Sequence, residues 1–330
     1  MRIIDLNGNG AERFDNPDKV LQSEALEQLN SIVRAQIGRL ENPLYTPPTG
    51  RELTYLRPHN GILIQGGRGS GKTTFLLNAL HYLQSQQKGS SQWFEGLPSK
   101  LQVLSPIDPT LIETKEHIII VIISLIDAVL DDPAINPEAE RTIVNEARRK
   151  MAEGLGLLDG IGKSKPYGDE WEDPEWIMSR GLRKARNGRS FEIKFQKYIY
   201  EALKIINKKA FVLAFDDVDT NFQHGSTILE TIRKYLTSPQ LVLLISGDLE
   251  LYGRLVRRNI YDTFGENVMR YDPSVIGEEK TGVSAAVQEL EEQYLLKIVP
   301  PQNRISMMPL GGIMQVYPSN EIMIVPFEQT

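Results

Sequence analysis

Residues 66–75 read GGRGSGKTTF, directly after the apolar run GILIQ at 61–65. Four glycines, one lysine and two threonines stand within ten positions. Glycine lets a chain turn tightly and come close to a ligand, so several backbone N–H groups can converge on one anion. The run before these glycines predicts a short strand over 61–65. The run after them predicts a helix from Lys72 to about Gln84, whose first amides and dipole also favour negative charge.

The spacing Gly66-x-x-x-x-Gly71-Lys72-Thr73 meets the P-loop (Walker A) pattern at every position. Gly66, Gly67, Arg68, Gly69, Ser70, Gly71, Lys72, Thr73 and Thr74 are the expected nucleotide-binding set. Lys72 supplies a mobile point charge for the β and γ phosphates and counts as catalytic. The Thr73 hydroxyl is the expected Mg²⁺ ligand. Arg68 reads as a surface choice rather than a catalytic one.

Such a loop needs an acid at the end of a neighbouring strand. FVLAFDDVD at 211–219 supplies it as the Walker B element. Asp216 is the natural Mg²⁺ partner. Asp217 is the candidate base that orients or polarises the attacking water. Asp219 divides evenly between a functional role and a loop cap. The next strand ends in LLISGD, where Ser246, or secondly Asp248, can meet the γ-phosphate or the water; otherwise Ser246-Gly247 is a plain turn. Arg254, Arg257 and Arg258 follow on one predicted helix. Any of them, or Arg270, could donate charge to a neighbouring subunit's site.

The rest of the chain sets limits. It has 330 residues, 41% apolar and 24% charged, with a net charge of −6. That excludes a chain built as a whole to coat nucleic acid or an anionic membrane. Cysteine is absent, so disulfides and thiolate metal sites are excluded. His59, His81, His117 and His224 show no metal-ligand spacing. The N-terminus lacks a signal-peptide pattern. The most apolar run, Ile118 to Leu130, is too short to span a bilayer and predicts a buried helix facing inward through Ile119, Ile122, Ile123, Ile126 and Val129. A cytoplasmic chain with no membrane contact is expected.

Further helices are expected at 18–40, 226–236, 248–264 and 284–299, and further strands at 101–105, 211–215 and 241–246. Thr227 and Glu230 suggest a capping box. GIMQVY at 312–317 and EIMIVPF at 321–327 read as two short strands. The strands are apolar throughout rather than alternating, which predicts a mostly parallel sheet buried under helices on both faces. The expected fold is therefore α/β: a P-loop NTPase core over 55–301, an N-terminal helical extension and linker over 1–54, and the start of a C-terminal region over 302–330. Residues 151–190 carry acidic and then basic blocks, and read as a surface insertion between the Walker A and Walker B motifs. The bland reading is a solvated loop; the sharper one is a docking surface for another subunit or for RNA. The abrupt apolar ending suggests a fragment of a longer protein.

GGRGSGKTTF, FVLAFDDVDT, LVLLISGDLELYGRLVRR and YLLKIVPP together resemble the KAP-type P-loop ATPases, relatives of AAA+ and signal-transducing NTPases. Many KAP proteins carry transmembrane helices between the two motifs, and this chain has none there. IDPTLIE at 107–113, with FDDVDT and SGDLELY, is more narrowly similar to the ATPase subunits of the RADAR antiphage systems. The resemblance covers about residues 55–301. It implies a ring-forming ATPase that uses ATP and Mg²⁺ and works beside an adenosine deaminase in antiviral defence. A non-enzymatic nucleotide-gated scaffold and a small-molecule phosphotransferase are the alternatives. No guanine-specific Asn-Lys-x-Asp stretch occurs, which tilts the base towards adenine.

Overall fold

Apolar residues dominate Ala210–Phe215 and Leu241–Gly247, and both segments are buried along their whole length in a computed structural model of the chain. The structure describes residues 2–5, 21–42, 58–85, 94–112, 116–132, 141–155, 175, 191–220, 225–271, 283–316 and 322–325. The strands are β1 (Arg2–Asp5), β2 (Ile62–Gln65), β3 (Leu101–Val103), β4 (Ala210–Phe215), β5 (Leu241–Gly247), β6 (Arg304–Ser306) and β7 (Ile322–Val325). Five of them form one sheet in the order β3-β4-β5-β2-β6. Every pairing in it is parallel. β1 and β7 form a separate parallel pair.

The helices are α1 (Ser23–Leu40), α2 (Lys72–Gln84), α3 (Leu97–Lys100), α4 (Ile118–Leu130), α5 (Arg141–Leu155), α6 (Phe191–Ile205), α7 (Gly225–Tyr235), α8 (Leu249–Tyr271), α9 (Val283–Leu296) and α10 (Leu310–Val316). Alternate strand residues face opposite layers. Ile62, Ile64, Val212, Ala214, Val242 and Leu244 pack with residues of α1, α2 and α3. Leu63, Phe211, Leu213, Phe215, Leu243 and Ile245 pack with residues of α4 to α9. Helices cover both faces, as uninterrupted apolar strands require.

α4 buries Ile119, Ile122, Ile123 and Ile126, whereas Val129 is half-buried. Asp127 interrupts its apolar sequence for a reason. It accepts hydrogen bonds from Arg148 on α5, at 2.7 Å from Nη2, and from the Tyr198 hydroxyl on α6. That carboxylate joins three helices. Among the described residues no helix is long and apolar enough to cross a membrane.

Two local expectations are corrected. GIMQVY lies mostly in α10, not in a strand. Gly312 and Ile313 both donate backbone N–H groups to the Pro309 carbonyl, at 2.9 and 3.1 Å, which starts a helical turn just where proline is tolerated. The capping box at Thr227 and Glu230 does not form. Both residues lie inside α7, and the Glu230 carboxylate turns to Arg233, Lys234 and Tyr294. Nearly all of the insertion expected at 151–190 lies outside the described residues, as do residues 180–190 of the basic block, whose last lysines, Lys194 and Lys197, lie in α6.

Candidate functional site

The carboxyl ends of parallel strands, where helix-entering loops diverge, are where α/β sheets bind ligands. β2 ends at Gln65, paired with Gly247 on β5. β4 ends at Phe215, paired with Ile245 on the same strand. β5 thus lies between the glycine loop and the acidic turn, and the register brings both to its last two residues.

The loop leaves β2 at Gly66, whose N–H meets the Gly247 carbonyl at 3.3 Å. Gly69 and Gly71 adopt φ values of 79° and 81°, a left-handed backbone that L side chains rarely adopt. Gly71 then serves as the N-cap of α2. Lys72 folds back over the loop and donates to the carbonyls of Gly66 and Gly67 at 2.8 and 3.2 Å. Arg68 and Thr73 are exposed. The Thr73 hydroxyl has no hydrogen-bond partner among the described residues. Ser70 is buried, and its hydroxyl is without a partner there. Thr74 accepts on its backbone carbonyl from Asn78.

The acidic turn is fixed by its neighbours on both sides. Ser246 is fully buried. Its hydroxyl donates to Asp216 and accepts the Asp217 N–H at 3.2 Å. Ser246 was expected to meet the γ-phosphate or the attacking water; in the structure its hydroxyl bonds to both acids. On the other side, the Asp216 N–H donates to the Ile107 carbonyl at 3.0 Å, and Ile107 N–H to the Ala214 carbonyl at 2.8 Å. This extends the pairing of β3 with β4 by one bridge and brings Asp108 alongside. Asp108 also caps the short turn Pro109–Leu111.

Asp217 has φ 53°, in the left-handed region that a non-glycine residue enters at a cost. Its carboxyl is pushed above the usual carboxylate range by burial first, then by Asp216, Asp219 and Asp108, with Lys72 opposing. Asp219 is 3% exposed. One of its oxygens accepts the Asp248 N–H at 2.7 Å, and the other is buried without a partner. Burial raises its pKa, while the Asp248 amide and the Lys72 charge work against that. Lys72 is thus felt electrostatically at both acids, although it stands at the start of α2. Asp219 fixes the entry to α8, a structural task. Asp248 continues it by accepting the Glu250 N–H at 2.8 Å.

Tyr252 was not anticipated. It is buried, and its hydroxyl donates to the Ser246 carbonyl at 2.6 Å. A Cβ on Gly247 would stand 2.6 Å from the Tyr252 ring, so only glycine fits beneath it. The candidate arginines are differently placed. Arg254 pairs with Glu250 one turn back at 2.6 Å, and Arg257 pairs with Glu291 on α9 at 2.7 Å. Arg258 is exposed. Arg270 lies in α8, with its side chain outside the described set. His117 caps α4 by accepting the Ile119 N–H.

The donor set suits a magnesium nucleotide. Among the described residues no three His, Asp or Glu side chains are grouped to hold a metal alone. Magnesium needs fewer, because it keeps waters and takes phosphate oxygens. One carboxylate (Asp216) and one uncommitted hydroxyl (Thr73) meet that need. A loop bearing two left-handed glycines and a lysine resting on its own carbonyls suits a polyphosphate. No family model matches the chain, and no curated protein matches it.

Proposed function

We propose that the chain is a Mg²⁺-dependent nucleoside triphosphatase that binds and hydrolyses ATP. The observation that carries this reading is the junction at the end of β5. Gly247 receives the first amide of the glycine loop, and Ser246 holds both acids. Phosphate-binding backbone and metal-binding carboxylate are thereby tied to adjacent residues of one buried strand. Preorganised positioning and charge are most of what phosphoryl transfer asks of a protein.

In this reading, backbone amides of 66–73 and Lys72 hold the phosphates. Thr73 and Asp216 hold Mg²⁺, which neutralises charge on the phosphate oxygens. Asp217 accepts a proton from the attacking water, and its raised pKa suits it to that role. Ser246 and Asp219 keep the acids and the α8 entry in place.

On the resemblance of 66–75, 107–113 and 211–220, we place this activity in a cytoplasmic, ring-forming subunit of an antiphage defence complex beside an adenosine deaminase. Arg258, exposed on α8 and free of an ion pair among the described residues, is the candidate for donation to a neighbouring copy. We assign any docking of RNA or of another subunit to the basic block from Arg180 to Lys197.

Purified protein with Mg²⁺ and ATP is expected to release phosphate. Lys72→Ala is expected to lower that rate on the order of a hundredfold or more. Undiminished hydrolysis in Lys72→Ala would sink the assignment. Mass measurement with and without ATP, alone and with deaminase subunits, tests the assembly.

A further inference from the structure

Gln22 stands at the N-cap of α1, where Ser, Thr, Asp or Asn ordinarily accepts a bond from the helix's own first amides. Its side chain makes no such bond. It reaches instead to two distant segments. Nε2 donates to the Ser70 carbonyl at 3.2 Å and to the Met308 carbonyl at 3.0 Å. Oε1 accepts the Met308 N–H at 2.9 Å. The partners lie 48 and 286 residues away in sequence.

The Met308 end is firm. Met307 N–H donates to the Gln65 carbonyl at 2.7 Å, which continues β6 alongside β2. Gln22 therefore has two bonds on the extended sheet and one on the glycine loop. The loop end is soft. Ser70 has no anchor through its own hydroxyl, and glycines in left-handed backbone stand on either side of it. Beside glycine, a peptide unit can invert at little steric cost.

In a planar trans peptide, the C=O and the N–H point in opposite directions. Holding the Ser70 carbonyl on the α1 side turns the N–H of Gly71 the other way, away from Gln22. We propose that Gln22 is a positioning residue of the phosphate loop, which aims the Gly71 amide by clamping the Ser70 carbonyl to the end of β6. This rests on reading 66–73 as a phosphate-binding loop. It adds a side chain from outside the motif, on a helix preceding it, as part of what sets anion affinity.

The test titrates the full chain with Mg²⁺-ATP and with inorganic tripolyphosphate. Gln22→Ala is expected to weaken both about tenfold, the effect of one lost hydrogen bond plus a freed peptide. KM for ATP rises in step, and kcat stays within about twofold. Gln22→Glu keeps an acceptor for Met308 but cannot donate to Ser70 when ionised, so it weakens both ligands at least as much. It also serves if the alanine variant does not fold. Gln28→Ala, which removes a 3.2 Å bond from the same helix to the Arg304 carbonyl, leaves both affinities unchanged. Wild-type affinity in either Gln22 variant overturns the proposal, as does an equal loss in Gln28→Ala. If the wild type binds neither ATP nor tripolyphosphate, the phosphate-loop reading itself fails, which is a separate result.

Discussion

Ser246 donates its hydroxyl to Asp216, thirty residues earlier in the chain and just past the end of the neighbouring strand β4. The same oxygen accepts the Asp217 N–H. One buried atom therefore sets both the direction of the candidate metal ligand and the backbone of the candidate base.

Removing that oxygen leaves an acceptor and a donor without their partner. Ser246→Ala is expected to cost about 1–3 kcal/mol of stability. Turnover should fall further than nucleotide affinity, because the loop at 66–73 is untouched. Denaturant unfolding and steady-state phosphate release measure the two. Loss of affinity with unchanged turnover would contradict this division of roles.

Asp217→Asn separates binding from hydrolysis. Loss of a general base costs on the order of 10²–10⁴-fold in rate. The wild-type acid limb should lie above the ordinary aspartate range, because burial and Asp216 raise this pKa. A raised folded pKa stabilises the protein fully below the unfolded value of 3.8, and the contribution fades as pH rises through the folded value. The charged form at neutral pH is the less stable one. Asp217→Asn should therefore melt no lower than wild type at pH 7 while losing turnover. A variant that hydrolyses ATP normally would remove Asp217 from the mechanism.

Glu230 behaves in the opposite way. Burial pushes its pKa up, but hydrogen bonds from Arg233, Lys234 and Tyr294 outweigh that and hold it at about 2. The stabilisation is present above 4.5 and is lost as pH falls towards 2. Glu230→Gln should be less stable than wild type at pH 7, with the gap narrowing on acidification. Chemical unfolding at a series of pH values reads this directly; a gap that widens towards pH 3 would refute it.

Gly247→Ala places a methyl group 2.6–2.8 Å from three atoms of Tyr252. A misfit of that kind costs about 1–3 kcal/mol. Tyr252 must move, and its bond to the Ser246 carbonyl goes with it. Thermal melting should show the loss, and Gly247→Ala combined with Tyr252→Ala should cost less than the sum of the two changes. Strict additivity would mean that the two positions are not in contact.

The local grammar of the chain was readable. Lys72–Gln84 and Ile118–Leu130 form helices at the bounds their periodicity suggests. The apolar strands are parallel and buried, as their lack of alternation implies. What escaped was set by distance. Glu230 looked like a cap, but one of its partners, Tyr294, is 64 residues on. β6 is three residues long, too short for any period to register. The left-handed backbone of Asp217, the ring of Tyr252 over Gly247 and the grip of Gln22 on Ser70 all depend on tertiary neighbours, which no local pattern encodes. Asp108 sat within IDPTLIE, but only the bridge of Ile107 to Phe215 brings it to the acids.

β5 has a further consequence as the central gauge between the two loops. Its pairings, Gln65 with Gly247 and Phe215 with Ile245, are counted from a single strand. Side chains alternate, so deleting one residue between Leu241 and Ile245 would swing the Ser246 position to the opposite layer. The length of that strand is accordingly constrained more tightly than its composition. Valine, leucine and isoleucine can trade places along it, whereas an indel of one codon cannot be absorbed.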